Sequence, residues 1–386
     1  MAQAAERYMQ GIAVPESAVR PSEFFARTRR KLGTEVSKTF AGLAQQDVVE
    51  IKKTDILSEV TVRFVGQLTV TPGSGSVATT RRWPYDLLRQ VRFTANGQSN
   101  LINCSGAKLK VREFMHHHDL NDRGVQQSIA GSTIQQGTLS QSHESWGVGS
   151  GATAIAGGTY DVDLEWVLPI AEDQVDLMGA IFCATSSTDL SLVLDWATPA
   201  ELFALAGNGA AGLAGKVQVI AKRFSIPISD GNIVVPDLSQ FHSLIQTRYT
   251  NLSLGVNELR MTGQGAGKTL LRLFTQVWNG AGAGAPLAVT DANYGRLGWR
   301  YSGNETPDEL ESGIILRALN ERYYNTDIGK AHGFFCHEFA QENAFRDTVD
   351  LGTTSEFRQL VELASGLTLT NAAAEYVAES IFVAGA

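Results

Sequence analysis

The sequence predicts an all-β chain built as two successive sandwiches. Three observations carry that prediction: many short segments alternate apolar and polar residues with a period of two, glycine-rich connections separate them, and few stretches show helical spacing. Glycine supplies 38 of the 386 residues, above the roughly 7% usual in globular chains. Hydrophobic residues make up 43% of the chain, enough apolar surface to offset the ordering entropy of folding, which excludes a disordered protein.

The first patterned segment, 20–38, carries six basic residues (Arg20, Arg27, Arg29, Arg30, Lys31, Lys38) against two acids, Glu23 and Glu35, in a chain whose net charge is −8. Pro21, with Phe24, Phe25 and Leu32 as apolar positions, predicts a short amphipathic helix from Ser22 to Gly33. Such a segment can lie on an anionic surface such as lipid headgroups, or be an ordinary solvated run of charge.

Past this arm the period becomes two. In 59–71, Val60, Val62, Phe64, Leu68 and Val70 share one side of a half-buried strand. Strands are also predicted at 87–95 and 98–102, joined by the Asn96-Gly97 turn, and at 160–170, 190–196 and 216–228. The second half repeats the style at 231–235, 249–261, 269–279, 333–339 and 365–371. Helices are predicted at 105–117 and 306–324. The second has Thr306 as cap, Pro307 at the first helical position, Glu309 completing the box, and Leu310, Ile314, Ala318 and Leu319 as its apolar stripe. The unpatterned stretch 124–158 is too long for a casual loop and is expected to project or to contact a neighbour. The expected divisions are an arm at 1–47, a first unit at 48–230 and a second at 231–386.

No run approaches 18 consecutive apolar residues and the N-terminus lacks the plan of a signal peptide, so a soluble chain without a secretion address is expected. Cys104, Cys183 and Cys336 are too few and too scattered for a disulfide framework or a zinc knuckle. The acidic balance argues against sequence-specific nucleic-acid binding.

Motifs that could carry chemistry fail on context. Gly267-Lys268-Thr269 resembles the end of a phosphate-binding loop, but Thr262 stands where the first glycine belongs and a strand-like run follows. His116, His117 and His118 fan out by about 100° each on a helix and cannot converge on one ion. Asp161, Asp163 and Glu165 share one strand face, which suits a carboxylate pair for glycoside chemistry and equally a solvated sheet face. No catalytic, cofactor-binding or metal-ligating set is expected.

Two stretches, 83–109 (WPYDLLRQVRFTANGQSNLINCSGAKL) and 163–204, resemble the major capsid proteins of tectiviruses, bacterial viruses with an internal membrane. The matching elements are the hairpin at Leu87–Phe93 with Asn96-Gly97 and the following Ser105-Gly106; Trp166-Val-Leu-Pro169; Leu177-Met-Gly179-Ala180; and Leu190–Trp196. Weaker likeness continues through 235–244, 270–282 and 307–339.

The resemblance implies two tandem eight-stranded jelly rolls and a homotrimer that tiles an icosahedral capsid assembled in the host bacterial cytoplasm. It implies neighbouring trimers, penton and minor capsid proteins and the viral internal membrane as partners, the last through the basic N-terminal arm. No enzyme activity or cofactor is implied. Two other readings compete. A carbohydrate-binding or glycan-cleaving sandwich would line a concave sheet with exposed aromatics, whereas the tryptophans here mostly sit in apolar strand runs. A phage receptor-binding spike would share the β content but has no need of a basic arm.

Overall fold

The computed structural model describes residues 20–80, 82–95, 98–116, 124–127, 153–184, 189–229, 232–261, 267–280, 287–288, 293–300, 309–324, 334–340, 348–351 and 356–383. Alternation of apolar and polar residues folds these into two jelly rolls, each a long sheet packed on a short one. In the first roll the long sheet holds Arg30–Thr39, Ala210–Phe224, Ile56–Thr71 and Gly158–Pro169 side by side, with Gly124–Gln127 beyond them. Its short sheet runs Gln46–Glu50, Leu190–Trp196, Leu88–Ala95, Gln98–Cys104. In the second roll the long sheet runs Gln240–Thr250, Ala373–Val383, Lys268–Asn279, Phe334–Glu338, and the short sheet runs Gly255–Arg260, Arg358–Leu363, Tyr294–Arg300, Glu309–Leu310.

Counted along the chain over the eight principal strands, leaving aside Gly124–Gln127 and the other short strands, each roll places its first, eighth, third and sixth in the long sheet and its second, seventh, fourth and fifth in the short one. The two rolls are therefore the same unit used twice. They are joined in one continuous sheet: the fifth strand of the first roll pairs in parallel with the first strand of the second, Ile102 opposite Leu244 and Asn103 opposite Ile245.

The helices are α1 (Pro21–Arg27), α2 (Gly106–His116), α3 (Pro199–Leu202) and α4 (Gly313–Tyr324). Helices α2 and α4 each follow the fifth strand of their roll. Both open on a glycine that nothing larger could replace without movement. A Cβ on Gly106 would lie 2.5 Å from the Trp166 indole nitrogen and the Tyr85 carbonyl oxygen, and one on Gly313 would lie 2.8 Å from the tip of the Phe335 ring.

One core lies between the sheets of the first roll, centred on Val62, Phe64, Phe93, Leu164, Trp166 and Trp196. It extends onto the outer face of the second roll's long sheet through Leu244, Phe274 and Val377. A second core, with Leu273, Trp299, Val361 and Tyr376, fills the second roll. A third seals one end, where Phe24 of α1 packs with Ile56, Leu177, Phe182, Phe224, Val235 and Leu238. Trp83, Trp166, Trp196, Trp278 and Trp299 are all buried, so the aromatics expected on a sugar-binding face belong to the cores. Trp146 lies outside the described residues.

Several sequence-based expectations are corrected. The basic segment is helical only to Arg27, and Arg30–Thr39 is the first strand of the first roll, paired along Ala210–Phe224. The β-branched Thr34, Val36 and Thr39 favour that strand over the expected continuation to Gly33. Helix α4 begins at Gly313 rather than Pro307, because Glu309–Leu310 pairs with Leu297–Gly298 as a strand. Thr306 and Pro307 lie outside the described residues. The run 249–261 is two strands separated at Asn251, whose φ is +62°. No strand forms at 365–371: the side chain of Asn279 satisfies the Thr368 carbonyl and the Thr370 amide at 2.7 Å each, in place of a neighbouring strand. The Asn96-Gly97 turn and most of 124–158 lie outside the described residues, although 124–127 and 153–155 are strands.

Candidate functional site: the seam and the basic N-terminal segment

The seam between the rolls is built by two periodicities that bring charge to one place. On α2, Lys108 and Arg112 are four residues apart and share a face. On the strand Ala373–Val383, Glu375 and Glu379 point to the side opposite Tyr376 and Ala378, away from the second roll's core. The helix lies across that outer face, and the four side chains meet with almost no solvent.

Glu379, fully buried, accepts hydrogen bonds from Arg112 Nη2 at 2.6 Å and Nε at 3.0 Å, and from Arg272 Nη1 at 3.1 Å. Its Oε1 lies 2.9 Å from His242 Nε2, while His242 Nδ1 lies 2.8 Å from the Pro169 carbonyl oxygen. Both ring nitrogens thus face oxygen acceptors. Arg272 also reaches Glu172 at 2.6 Å and Glu338 at 2.7 Å. Burial opposes ionisation of Glu379, but Arg112 and Arg272 hold its carboxyl well below the ordinary carboxylate range.

A second set lies one helical turn away. Glu375 accepts from Arg82 at 3.2 Å and from the Trp278 indole at 3.0 Å, and Lys108 Nζ lies 3.7 Å from it. Lys108 also donates to the Gln276 side-chain oxygen, and Arg82 reaches Asp86 at 3.0 Å. Arg82, Asp86, Lys108, Arg112 and Glu172 come from the first roll, and His242, Arg272, Gln276, Glu338, Glu375 and Glu379 from the second. The seam ions are not among the candidate sites that the sequence predicts. Their signal was available as acids at 375 and 379, on one side of an otherwise apolar strand.

The basic segment divides. Arg27 pairs with Glu23 at 3.3 Å, Lys31 with Asp55 at 2.9 Å and Lys38 with Asp47 at 2.8 Å. Arg20, Arg29 and Arg30 are exposed and have no acidic partner among the described residues. The apolar face of α1 is occupied by protein: Phe24 is fully buried and meets Phe25 and Phe224 edge-on at 5.5 and 6.2 Å.

The motifs set aside on sequence context find ordinary places. Lys268 opens a strand rather than a helix, and its Nζ lies 5.2 Å from the centre of the Phe382 ring. His116 ends α2 and meets Tyr324 edge-on, whereas His117 and His118 lie outside the described residues. Asp163 is clamped by Arg63 at 2.8 and 2.7 Å, and Asp161 accepts from Gln67 at 3.1 Å. The three cysteines are free and buried, and no group of three metal-ligating side chains occurs among the described residues. No helix among them is long and apolar enough to cross a membrane.

Two like rolls held side by side by a buried ionic seam define a double jelly roll, a shell-building class of protein. The family model for the P3 major capsid protein N-terminal region matches residues 21–221, slightly over half of the 386-residue chain, and the chain belongs to that family. It is a major capsid protein, a component of a virion shell. No curated protein sequence matches it. The major capsid protein of Sulfolobus turreted icosahedral virus has the same fold, with a TM-score of 0.64 at 12% identity over 92% of this chain and 97% of its own. So does the major capsid protein of Faustovirus, at 0.59 and 8% over 96% and 92%. The major capsid protein P2 of bacteriophage PM2 follows at 0.53 and 12% over 92% and 98%.

Proposed function

We propose that three copies of the chain form a homotrimeric capsomer with a six-sided outline, and that such trimers tile an icosahedral bacteriophage shell around an internal lipid membrane. The observation that carries this reading is the repetition itself. Each chain supplies two equivalent units side by side, so a ring of three chains supplies six, closed by heterologous contacts between the second roll of one copy and the first roll of the next. The chain then acts without catalysis, and penton and minor capsid proteins complete the shell, which assembles in the host bacterial cytoplasm. The chain divides between the rolls at the short hairpin of Ile228–Ser229 and Asn232–Ile233, and the arm preceding the first strand of the first roll faces the membrane.

On this reading the membrane is met by charge, since the apolar face of α1 is already covered. Arg20, Arg29 and Arg30, at about 1 kcal/mol per basic residue near an anionic leaflet, give reversible attachment. Two measurements test the proposal. Light scattering of the purified protein should give about 125 kDa, three times the 41.6 kDa chain, and a monomer at every concentration would overturn the capsomer. Flotation with anionic liposomes at low salt should be lost in the triple variant Arg20→Glu, Arg29→Glu, Arg30→Glu, and unchanged flotation would overturn the membrane role.

A further inference from the structure

Helices α2 and α4 occupy the same place in the two rolls, and their sequences align from the opening glycine: Gly106-Ala-Lys-Leu-Lys-Val-Arg112 against Gly313-Ile-Ile-Leu-Arg-Ala-Leu319. The faces turned to their own rolls agree residue by residue. The glycines abut core aromatics, Leu109 and Leu316 are both buried, and the next residue in each is a buried cation over an aromatic ring. Lys110 Nζ lies 5.7 Å from the Tyr85 ring centre and Arg317 Cζ lies 5.6 Å from that of Phe335.

The other faces differ. Lys108 and Arg112 lie under the second roll, bound to Gln276, Glu375 and Glu379. Their counterparts on α4 are Ile315 and Leu319, and with Ile314, Ala318 and Tyr323 they form an apolar face open to solvent, Ile314 being 59% and Ile315 43% exposed. Ile314 and Ala318 of the apolar stripe thus point outward, while α4 buries Arg317 and Asn320 instead. An apolar helix face of this kind marks an interaction site.

The matching surface is also visible. Inside the chain, α2 sits on the outer face of the second roll's long sheet, beside its first strand Gln240–Thr250. The equivalent sheet of the first roll has its first strand, Arg30–Thr39, at an open edge among the described residues. Its outer face carries Leu32 and Val65, 69% and 40% exposed, with the half-buried Ile220 and Val167 aligned on Thr61 between them. The acids Asp161, Asp163 and Glu165 share that face with the cations Arg63, Lys216 and Lys222, Asp163 being held by Arg63.

We infer that the exposed face of α4 seats on the outer face of the first roll's long sheet in a second copy of the chain, repeating between subunits the joint that α2 makes within one. This contact rests on the trimeric reading and names the residues that close it. Because Ile314 and Ile315 touch water in the single chain, the double variant Ile314→Asp, Ile315→Asp should fold, with an unchanged circular dichroism spectrum and thermal midpoint under conditions that dissociate the wild type. Its light-scattering mass should fall threefold, from about 125 to 41.6 kDa. The double variant Leu32→Asp, Val65→Asp, on the opposite flank, should do the same.

A wild-type trimer with both variants still trimeric overturns the inference and leaves the capsomer standing. A wild-type monomer overturns both. The arrangement is checked independently by pairing Ile315→Cys with Leu32→Cys or Val65→Cys under oxidation. The native cysteines are buried, so a disulfide-linked dimer on denaturing gels supports the contact, and monomer from both pairings counts against it.

Discussion

Helices α2 and α4 begin alike and end differently. Each is anchored to its own roll by a glycine, a leucine and a cation over an aromatic ring, but α2 turns Lys108 and Arg112 to its neighbour where α4 turns Ile315 and Leu319. The difference follows from whether the neighbour is tethered. Within one chain the ions of the seam are brought together once, during folding, and never have to be stripped of water by a second binding event. Between separate chains, desolvating that many charges can cost more than their attraction returns, and burial of apolar surface drives association without that cost.

The sharpest way to break this comparison is to remove one seam ion. Glu379 is fully buried between Arg112, Arg272 and His242. Glu379→Ala leaves two guanidinium groups without their shared carboxylate and should cost about 3–5 kcal/mol in chemical denaturation. Ile315→Ala should change the stability of the single chain by no more than about 0.5 kcal/mol. Equal costs at the two helices would show that the faces are not used differently.

The strand Phe334–Glu338 separates the seam from the second core and gives the next largest effect. Glu338 points to the seam side and pairs there with Arg272 of the neighbouring strand, while His337, on the other side, has a buried Nε2 without a hydrogen-bond partner among the described residues. Burial pushes the His337 imidazole down to about 4 from an ordinary 6.5. The folded state therefore favours the neutral ring. Its stability is complete above pH 6.5 and falls as the pH drops toward 4, because the unfolded chain takes up the proton first. The loss from this group should approach about 3 kcal/mol. A urea series between pH 7 and 4 should show that slope, and His337→Leu should flatten it. A variant with the wild-type slope would assign the acid sensitivity to the seam instead.

The opening glycines come third. Gly106→Ala presses on the Tyr85 backbone and the Trp166 indole, which cannot move independently of the core, and should cost about 1–3 kcal/mol. Gly313→Ala meets only side-chain atoms, the tip of the Phe335 ring at 2.8 Å and the Tyr294 Cβ at 3.0 Å, so it should cost less. Denaturation midpoints of the two variants test that order, and the reverse order would mean that α4, not α2, is the more tightly seated helix.

How much of this was legible beforehand depended on where the physics acts. Strands buried on one side announced themselves: Leu190–Trp196 falls where its alternation places it, and Gly158–Pro169 within a residue or two. The strand Ala373–Val383 did not, because both its faces are covered, one by a core and one by the seam, so no simple alternation remains. For the same reason its two acids read as ordinary surface charge. Helix α4 misled in the opposite sense: a stripe of Ile314, Ala318 and Leu319 looks like a core face until the fold shows that side turned outward. Residue period reports which side is apolar, and only the assembled topology reports what that side meets.

The smallest effect tests whether burial, rather than charge count, separates the seam from the surface. On the outer face of the second roll's short sheet, Glu258 bridges Arg300 and Arg358 at 2.6 Å each, the same number of arginine partners that Glu379 has. These three side chains remain about one-third exposed, so solvent screens the attraction and hydrates whichever partner is left. Glu258→Ala should therefore cost less than about 1 kcal/mol, and raising the salt concentration should shrink the difference further. The Glu379→Ala penalty should barely respond to salt. If both variants lost the same stability with the same salt dependence, the seam would be no more than a second surface ladder and its lack of solvent would have no energetic consequence.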